Sequence, residues 1–260
     1  MSKTIRLFTI TIITFSIYYL LSKLFLEDFR DWLTPFFKNK IITYIIAYLI
    51  LGTPLYLGVL IMHKKELFFE SLGLKGNLKT AIIFTLICTS PMLIGNAIGY
   101  QINSELKLES LVLSVFFAPF IEELFFRGFL FGQIFKYTKI GFIPSIIFGA
   151  LIFASGHVHQ STDLTVMVGI FITTFIGAII FAWVYVEWNY NLWVPIFLHL
   201  FMNLSWIAFS ASSNALGNIY VNIFRVITIL LVFVLTIIYK KKKGIPFVVN
   251  KQTFWIKKNI

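Results

Sequence analysis

Residues 111–128 read LVLSVFFAPFIEELFFRG, an otherwise apolar stretch that contains three charged side chains. Glu122, Glu123 and Arg127 have hydrophobic neighbours on both sides. A charged side chain at membrane depth costs at least about 2.5–3.5 kcal/mol on insertion scales, so such residues are rare and usually functional. The stretch therefore predicts a membrane-spanning helix that carries a functional site.

The rest of the chain has the composition of an integral membrane protein. Of its 260 residues, 58% are hydrophobic and only 13% are charged, and the mean hydropathy is +0.87. Soluble domains carry about 25% charged residues. The apolar residues lie in continuous blocks of about 20, which indicates spanning helices and not the alternating strands of a barrel. We predict an all-α, polytopic transmembrane bundle that forms one integral membrane domain over residues 1–260.

The apolar blocks are separated by short joints that contain turn residues and charges. They predict about eight spans, at residues 5–25, 41–62, 80–100, 111–135, 141–158, 164–187, 191–209 and 219–239. Lysine and arginine are enriched on one side of this arrangement, which predicts that both termini are cytoplasmic. We expect a multi-pass protein of a bacterial plasma membrane, because abundant Ile, Lys, Asn and Phe are typical of AT-rich bacterial genomes.

The net charge of +11 is explained by these cytoplasmic lysines. Binding to nucleic acid would need a soluble basic domain, and the sequence predicts none. Lysines of the C-terminal tail are expected to contact anionic lipid of the bilayer. They are Lys240–Lys243, Lys251, Lys257 and Lys258. The single cysteine, Cys88, allows neither an internal disulfide nor a cysteine-based metal site.

Three more polar side chains lie in the later apolar blocks. His157 ends the sequence Phe-Ala-Ser-Gly-His, and His199 and Asn203 are four residues apart, so they share one helix face. Counted from the predicted turns at about 1.5 Å per residue, these three residues and Glu122 lie at similar depths. The sequence therefore predicts that the four side chains meet in one layer of the bundle.

These residue types suit the hydrolysis of a peptide bond. A carboxylate beside a histidine takes a proton from water and passes it to a leaving amine, so Glu122 and His157 are predicted to activate water. His199 and Asn203 are suited to donate hydrogen bonds to a developing oxyanion. A second possibility is a zinc ion held by Glu122, His157 and His199, with water in the open position. The metal-free alternative is slightly favoured, because the neutral amide of Asn203 is a poor zinc ligand.

Glu123 and Arg127 are predicted to have a structural role. Their i, i+4 spacing, with the acid first, is the favourable order for an ion pair on a helix. Glu122 lies about 100° around the helix from Glu123 and is left free for chemistry. We predict a buried Glu123–Arg127 pair that positions Glu122.

The polar motifs together resemble a known family. Glu-Glu-x-x-x-Arg at 122–127, Phe-x-x-x-His at 153–157 and His-x-x-x-Asn at 199–203 occur in this order on separate apolar blocks. The pattern is similar to that of the CAAX protease and bacteriocin-processing family, the CPBP or Abi intramembrane proteases. The resemblance covers a protease-like core at about residues 110–204.

The resemblance implies an eight-helix endopeptidase that acts on peptide or membrane-protein substrates. It gives Glu122 and His157 the activation of water, and His199 and Asn203 the oxyanion pocket. Proteins of this family are described both as metalloendopeptidases and as metal-free, glutamate-dependent enzymes, so the resemblance leaves the cofactor open. Peptide pheromones, bacteriocin precursors and membrane-protein tails are the substrates that the family implies.

Two other classes of function use the same residues differently. One is a non-catalytic membrane protein, either a bacteriocin-immunity factor or a scaffold that binds a partner. The other is a proton-coupled transporter in which Glu122 and His157 form a relay. Inverted repeats are expected of such a transporter, and the sequence shows none.

Overall fold

A computed structural model describes residues 2–257, so Lys258 of the tail lies outside the described residues. The chain is 77% helical. In the described range its only β pairing is an isolated antiparallel bridge between Ile140 and Ile256. The predicted all-α fold is confirmed.

The described part of the chain contains nine helices of ten or more residues. They are α1 Lys3–Phe37, α2 Lys40–Leu51, α3 Thr53–Met62, α4 Leu78–Gly99, α5 108–137, α6 Phe142–Ser155, α7 Leu164–Glu187, α8 Trp193–Ala208 and α9 Ile219–Lys243. Five of them begin at a side chain that accepts a backbone N–H three residues further on. These capping residues are Ser2, Asn39, Asn77, Asp163 and Asn218.

The number of spans differs from the eight predicted. Five helices are long and apolar enough to cross a membrane, and α2 with α3, bent by 41°, makes a sixth if the pair is one span. The helix α8 has 16 residues, fewer than the roughly 20 that a bilayer requires. The helix α5 contains two π-helical segments and carries Glu122, Glu123 and Arg127 near its centre. The polytopic bundle is therefore confirmed, and the count of eight is not.

The helix α5 lies at the centre of the bundle. Almost every residue from Glu123 to Phe131 is buried, including five large hydrophobic side chains in the main core. Residues from α1, α3, α6, α7 and α8 pack around them; they include Phe15, Leu55, Ala150, Ala182 and Ile196. Because α5 has neighbours on nearly all sides, its polar side chains are held inside protein and not in lipid.

A buried carboxylate joins the end of α7 to α9 and the C-terminal tail. Glu187 forms an ion pair with Lys240, and both side chains are almost completely buried. The same carboxylate accepts backbone N–H groups from Val248 at 3.1 Å and from Val249 at 2.8 Å. Charge-assisted bonds of this kind are roughly twice as strong as neutral ones. Glu187 thus holds the first part of the tail against the bundle.

The end of the tail packs against the start of α6. Gly141 donates its N–H to Trp255 O at 2.9 Å, and a Cβ added at Gly141 would lie 2.2 Å from the Trp255 carbonyl carbon. Lys257 donates to the carbonyl of Phe135, and burial lowers the pKa of Lys257 to about 8. The prediction that all tail lysines are available to lipid is therefore wrong for Lys240 and Lys257. Their exposed fractions are only 1% and 6%, because protein groups surround them.

The crossing of the membrane by α8 is open to a direct test. In a Cys88→Ser background, we expect an impermeant maleimide to label Thr162→Cys from outside the cell and Lys242→Cys only from inside. Between these positions lie α7, α8 and α9, and opposite sides require an odd number of crossings. Because α7 and α9 are both long and apolar enough to span, opposite sides require that α8 crosses as well. Both positions are exposed, whereas Cys88 is buried. Labelling of both cysteines from one side would show that α8 does not span the bilayer.

Candidate active site

The helix α5 changes its winding around the two adjacent glutamates. Leu111–Phe117 and Glu123–Phe131 are π-helical, and the α-helical turn Ala118–Glu122 lies between them. Glu122 is thus the last residue before the second π segment, and Glu123 is the first residue in it. Wider turns inside helices occur frequently at functional sites. The winding therefore marks the same two residues that the sequence singled out.

Glu123 lies at the centre of a buried network. Its Oε2 is 3.2 Å from Arg127 Nε, and the two side chains are 0% and 1% exposed. Its Oε1 is 2.8 Å from His199 Nδ1 on α8. Since a carboxylate only accepts hydrogen bonds, His199 Nδ1 carries the proton. The predicted Glu123–Arg127 pair is present, and Glu123 also fixes the orientation of His199.

Two aromatic rings enclose the guanidinium of Arg127. Its central carbon lies 4.5 Å from the ring centroid of Phe153 and 5.6 Å from that of Phe181. A cation over an aromatic face gains about 2 kcal/mol or more when it is desolvated. Arg127 Nη1 has no hydrogen-bond partner in the described range. The charge of Arg127 is thus balanced by Glu123 and by π electrons.

A cavity of about 870 Å³ lies beside this network. Ligand pockets commonly measure about 300–1,000 Å³. The four predicted site residues, Glu122, His157, His199 and Asn203, all line it. Most of its other lining is apolar or aromatic and comes from α7, α8 and α9. The structure therefore brings the polar residues of three separate motifs to one space.

The histidines differ in how they meet the carboxylates. His199 Nε2 is 3.9 Å from Glu122 Oε2. His157 Nδ1 lies 2.7 Å from the carbonyl of Phe153, and no described carboxylate oxygen is within 4.0 Å of either His157 nitrogen. Because Nδ1 donates to that carbonyl, His157 Nε2 is left as an acceptor. Glu122 and His157 therefore face the same cavity without direct contact, and a water molecule is needed to connect them.

Asn203 ties α8 to α5. Its Nδ2 donates to the Ser114 carbonyl at 3.0 Å. A side-chain amide has two N–H groups, so one remains for a ligand in the cavity. The contact fixes the plane of the amide and keeps its second donor beside the cavity.

Glu122 also borders a second, smaller cavity. This space measures about 250 Å³ and is lined by Tyr48, among others. Lys40 and Glu109, joined by an ion pair at 2.8 Å, line it as well. The side chain of Glu122 is 32% exposed, in contrast to the fully buried Glu123. Glu122 can thus meet one molecule in the larger cavity and another in the smaller one.

The alternative zinc site does not fit this arrangement. In residues 2–257, no group of three or more His, Cys, Asp or Glu side chains is placed to hold a metal ion. Glu122, His157 and His199, the predicted ligands, line the cavity, but only Glu122 and His199 approach each other.

The fold and the site define a helical membrane protein with a cavity among its helices that is lined by a carboxylate and two histidines. Residues 104–205 match the family model described as Rce1-like, type II CAAX prenyl endopeptidase Rce1-like. This segment contains the Glu-Glu-x-x-x-Arg, Phe-x-x-x-His and His-x-x-x-Asn motifs. The match confirms the predicted resemblance to the CPBP family, on less than half of the chain. Comparisons with curated proteins and with solved structures gave no match.

Sequence reasoning overlooked two polar features near the site. The bond from Glu123 to His199 was not predicted, because the residues are 76 positions apart and only the folded chain brings them together. Arg225 of α9 also lines the larger cavity. A sequence signal for it existed, since it is a lone cation in an apolar block, but it belongs to none of the motifs.

Proposed function

We propose that this protein is an intramembrane endopeptidase that cleaves peptide or protein substrates with water activated by Glu122 and His157. The observation that carries the proposal is the meeting of Glu122, His157, His199 and Asn203 at one large cavity. The match to a family of CAAX-type endopeptidases supports the same class of reaction. We place the protein in a bacterial plasma membrane with both termini in the cytoplasm, because lysine and arginine are enriched on that side.

Glu122 is suited to be the general base. In the proposed reaction it takes a proton from a water molecule that also donates to His157 Nε2. The oxygen of that water forms a bond to the carbonyl carbon of the peptide, and the carbonyl electrons move to its oxygen. As the carbon–nitrogen bond breaks, Glu122 returns the proton to the leaving amine. The products are a new carboxyl terminus and a new amine.

His199 and Asn203 are suited to stabilise the oxyanion. Asn203 supplies its second amide N–H, because the first is held by Ser114. His199 already gives Nδ1–H to Glu123, so donation from Nε2 requires the charged imidazolium. The carboxylate of Glu123, 2.8 Å from Nδ1 and also paired with Arg127, would stabilise that charge. Loss of one oxyanion donor typically lowers kcat by about 10²–10³.

Water reaches Glu122 most directly through the smaller cavity in this proposal. A peptide in the larger cavity would cover the open side of Glu122, whereas the smaller cavity touches the same residue from another side. The Lys40–Glu109 pair and Glu122 line this smaller space together. The two cavities thus separate the binding of the peptide from the supply of water.

A peptide-release assay on purified protein tests the activity and the metal together. We expect fragments of hydrophobic peptides to accumulate, with little inhibition by 1,10-phenanthroline and well under one zinc per chain by elemental analysis. The reason is that the neutral amide of Asn203 is a poor metal ligand, and that the described residues form no ligand cluster. A stoichiometric metal whose removal stops release, and whose return restores it, would make His199 a ligand. Peptide that binds without being cleaved would support the non-catalytic alternative.

A further inference from the structure

Arg225 is the charged residue of the larger cavity that has no carboxylate partner. Its Nη2 donates to the Ala215 carbonyl at 2.9 Å, and its Nη1 lies 3.4 Å from the Leu216 carbonyl. The guanidinium carbon is 4.4 Å from the ring centroid of Trp206. No carboxylate oxygen of the described residues lies within 4.0 Å of Arg225.

The charge of Arg225 is therefore unbalanced inside the bundle. Arg127, the other guanidinium at the cavity, has Glu123 beside it. Glu122 is the one carboxylate among the side chains that line the cavity. Arg225 is six residues into α9, about 9 Å along the helix from its start, where a charge is expensive. Neutral carbonyls orient a guanidinium but do not neutralise it, so the site attracts an anion.

The remaining donors of Arg225 have the geometry for a carboxylate. A guanidinium has five N–H groups in one plane, and two are used by the carbonyls of Ala215 and Leu216. Stacking on Trp206 holds the plane in place. A fixed fork of donors matches the two oxygens of a carboxylate and makes strong, charge-assisted bonds with it.

We propose that Arg225 binds the C-terminal carboxylate of the peptide that the cavity holds, which makes it a determinant of substrate specificity. This assignment rests on the proposed function for the cleavage step. Ile172, Ile176 and Met202 contribute apolar surface to the same cavity, which favours apolar side chains on the ligand. The carboxylate that every unmodified apolar peptide carries is its C-terminal one. Lipid phosphate offers similar chemistry and is distinguished by the experiment.

The test compares two forms of the same hydrophobic hexapeptides, one with a free carboxylate and one with a terminal carboxamide. Binding and peptide release are measured with the full-length protein in phosphatidylcholine nanodiscs. We expect the wild type to bind the acid about 10–100-fold more tightly than the amide. This factor corresponds to the usual contribution of one hydrogen bond that involves a charged group, about 10–100-fold in affinity. Arg225→Gln should bind the two forms with equal affinity. Arg225→Lys should keep part of the preference, since it keeps the charge but not the planar fork.

Lys64→Gln serves as the matched control, because it removes an exposed cation from a loop away from the cavity. It should keep the full preference for the acid. If Arg225 only holds the loop between α8 and α9, Arg225→Gln will weaken both peptides and leave their ratio unchanged. An unchanged ratio of the two affinities in Arg225→Gln overturns the proposal. Equal affinity of the wild type for the acid and the amide also overturns it, and this second result does not depend on the folding of any variant.

Two further arms separate this proposal from its alternatives. If the acid is preferred in binding but no peptide is cleaved, the carboxylate site stands and the proposed protease falls. If both forms are cleaved without preference, the proposed protease stands and the carboxylate site falls. Loss of the preference in nanodiscs that contain phosphatidylglycerol, with its retention in zwitterionic phosphatidylcholine alone, would assign Arg225 to the headgroup of an anionic lipid and overturn the peptide assignment.

Discussion

Replacement of Glu122 by glutamine is expected to reduce peptide cleavage by about 10²–10⁴-fold, the usual contribution of a general base. Glutamine keeps the shape of the side chain and removes only its basicity. The fold should survive, because Glu122 is 32% exposed and His199 Nε2, the one Lys, Arg or His nitrogen of the described residues within 4.0 Å of its carboxylate, is 3.9 Å away. The measurement is kcat of the purified variant, together with its thermal unfolding in the same detergent.

Glu123→Gln is the matched control for this result, since it makes the same change at the next residue. Glu123 is completely buried, forms an ion pair with Arg127 and accepts a hydrogen bond from His199, so its replacement should lower the unfolding temperature much more than Glu122→Gln does. Cleavage at the wild-type rate in Glu122→Gln would rule out Glu122 as the base. A large loss of stability in Glu122→Gln would instead give this residue a structural role.

The helices and the candidate residues were predictable because both follow from the cost of burial in a membrane. Continuous apolar blocks have few stable forms in lipid other than helices. Charged and polar residues inside such blocks stand out for the same reason, and the amino-acid sequence alone therefore identifies Glu122, His157, His199 and Asn203. Helix rise then gives their depth, and all four line one cavity. The chemical roles assigned to them remain predictions.

The number of spans was harder to predict, because hydropathy does not show how a helix winds or where it bends. The break at Gly52 lies inside one apolar block, and the chain bends there by 41°. The two π segments of α5 also lie inside one apolar block, and their large side chains pack against five neighbouring helices. A hydropathy pattern averages over these local features and reports one uniform span.

Contacts between residues far apart in sequence account for the other differences. Lys240 and Lys257 belong to a basic run, and such runs are usually solvated. Their burial depends on Glu187 and on the Phe135 carbonyl, which lie 53 and 122 positions away. In the same way, spacing within one helix predicts Arg127 as the partner of Glu123 but gives no information about His199. A local sequence pattern thus identifies a charged residue, whereas its partner can be known only from the folded structure.

Replacement of Arg127 by methionine is expected to destabilise the protein by about 3–5 kcal/mol, the cost of breaking a buried ion pair from one side. The change leaves the carboxylate of Glu123 at 0% exposure with His199 as its one remaining partner. It also removes the cation that lies over the rings of Phe153 and Phe181. Methionine retains much of the volume of arginine, so the loss of stability comes from the missing charge and not from an empty cavity. The measurement is the free energy of unfolding in mixed micelles, with Glu122→Gln as the variant that should change it little.

A second substitution separates the ion pair from the rest of Arg127. In the double variant Glu123→Gln with Arg127→Met, no unpaired charge remains at this point of α5. We expect it to be more stable than Arg127→Met alone, because removing both charges of a buried pair is often close to neutral. Cleavage should still be impaired in the double variant, since His199 has lost the carboxylate that orients it. If the double variant is as unstable as the sum of the two single changes, the contacts of Arg127 with Phe153 and Phe181, and not its pairing with Glu123, hold this part of the bundle together.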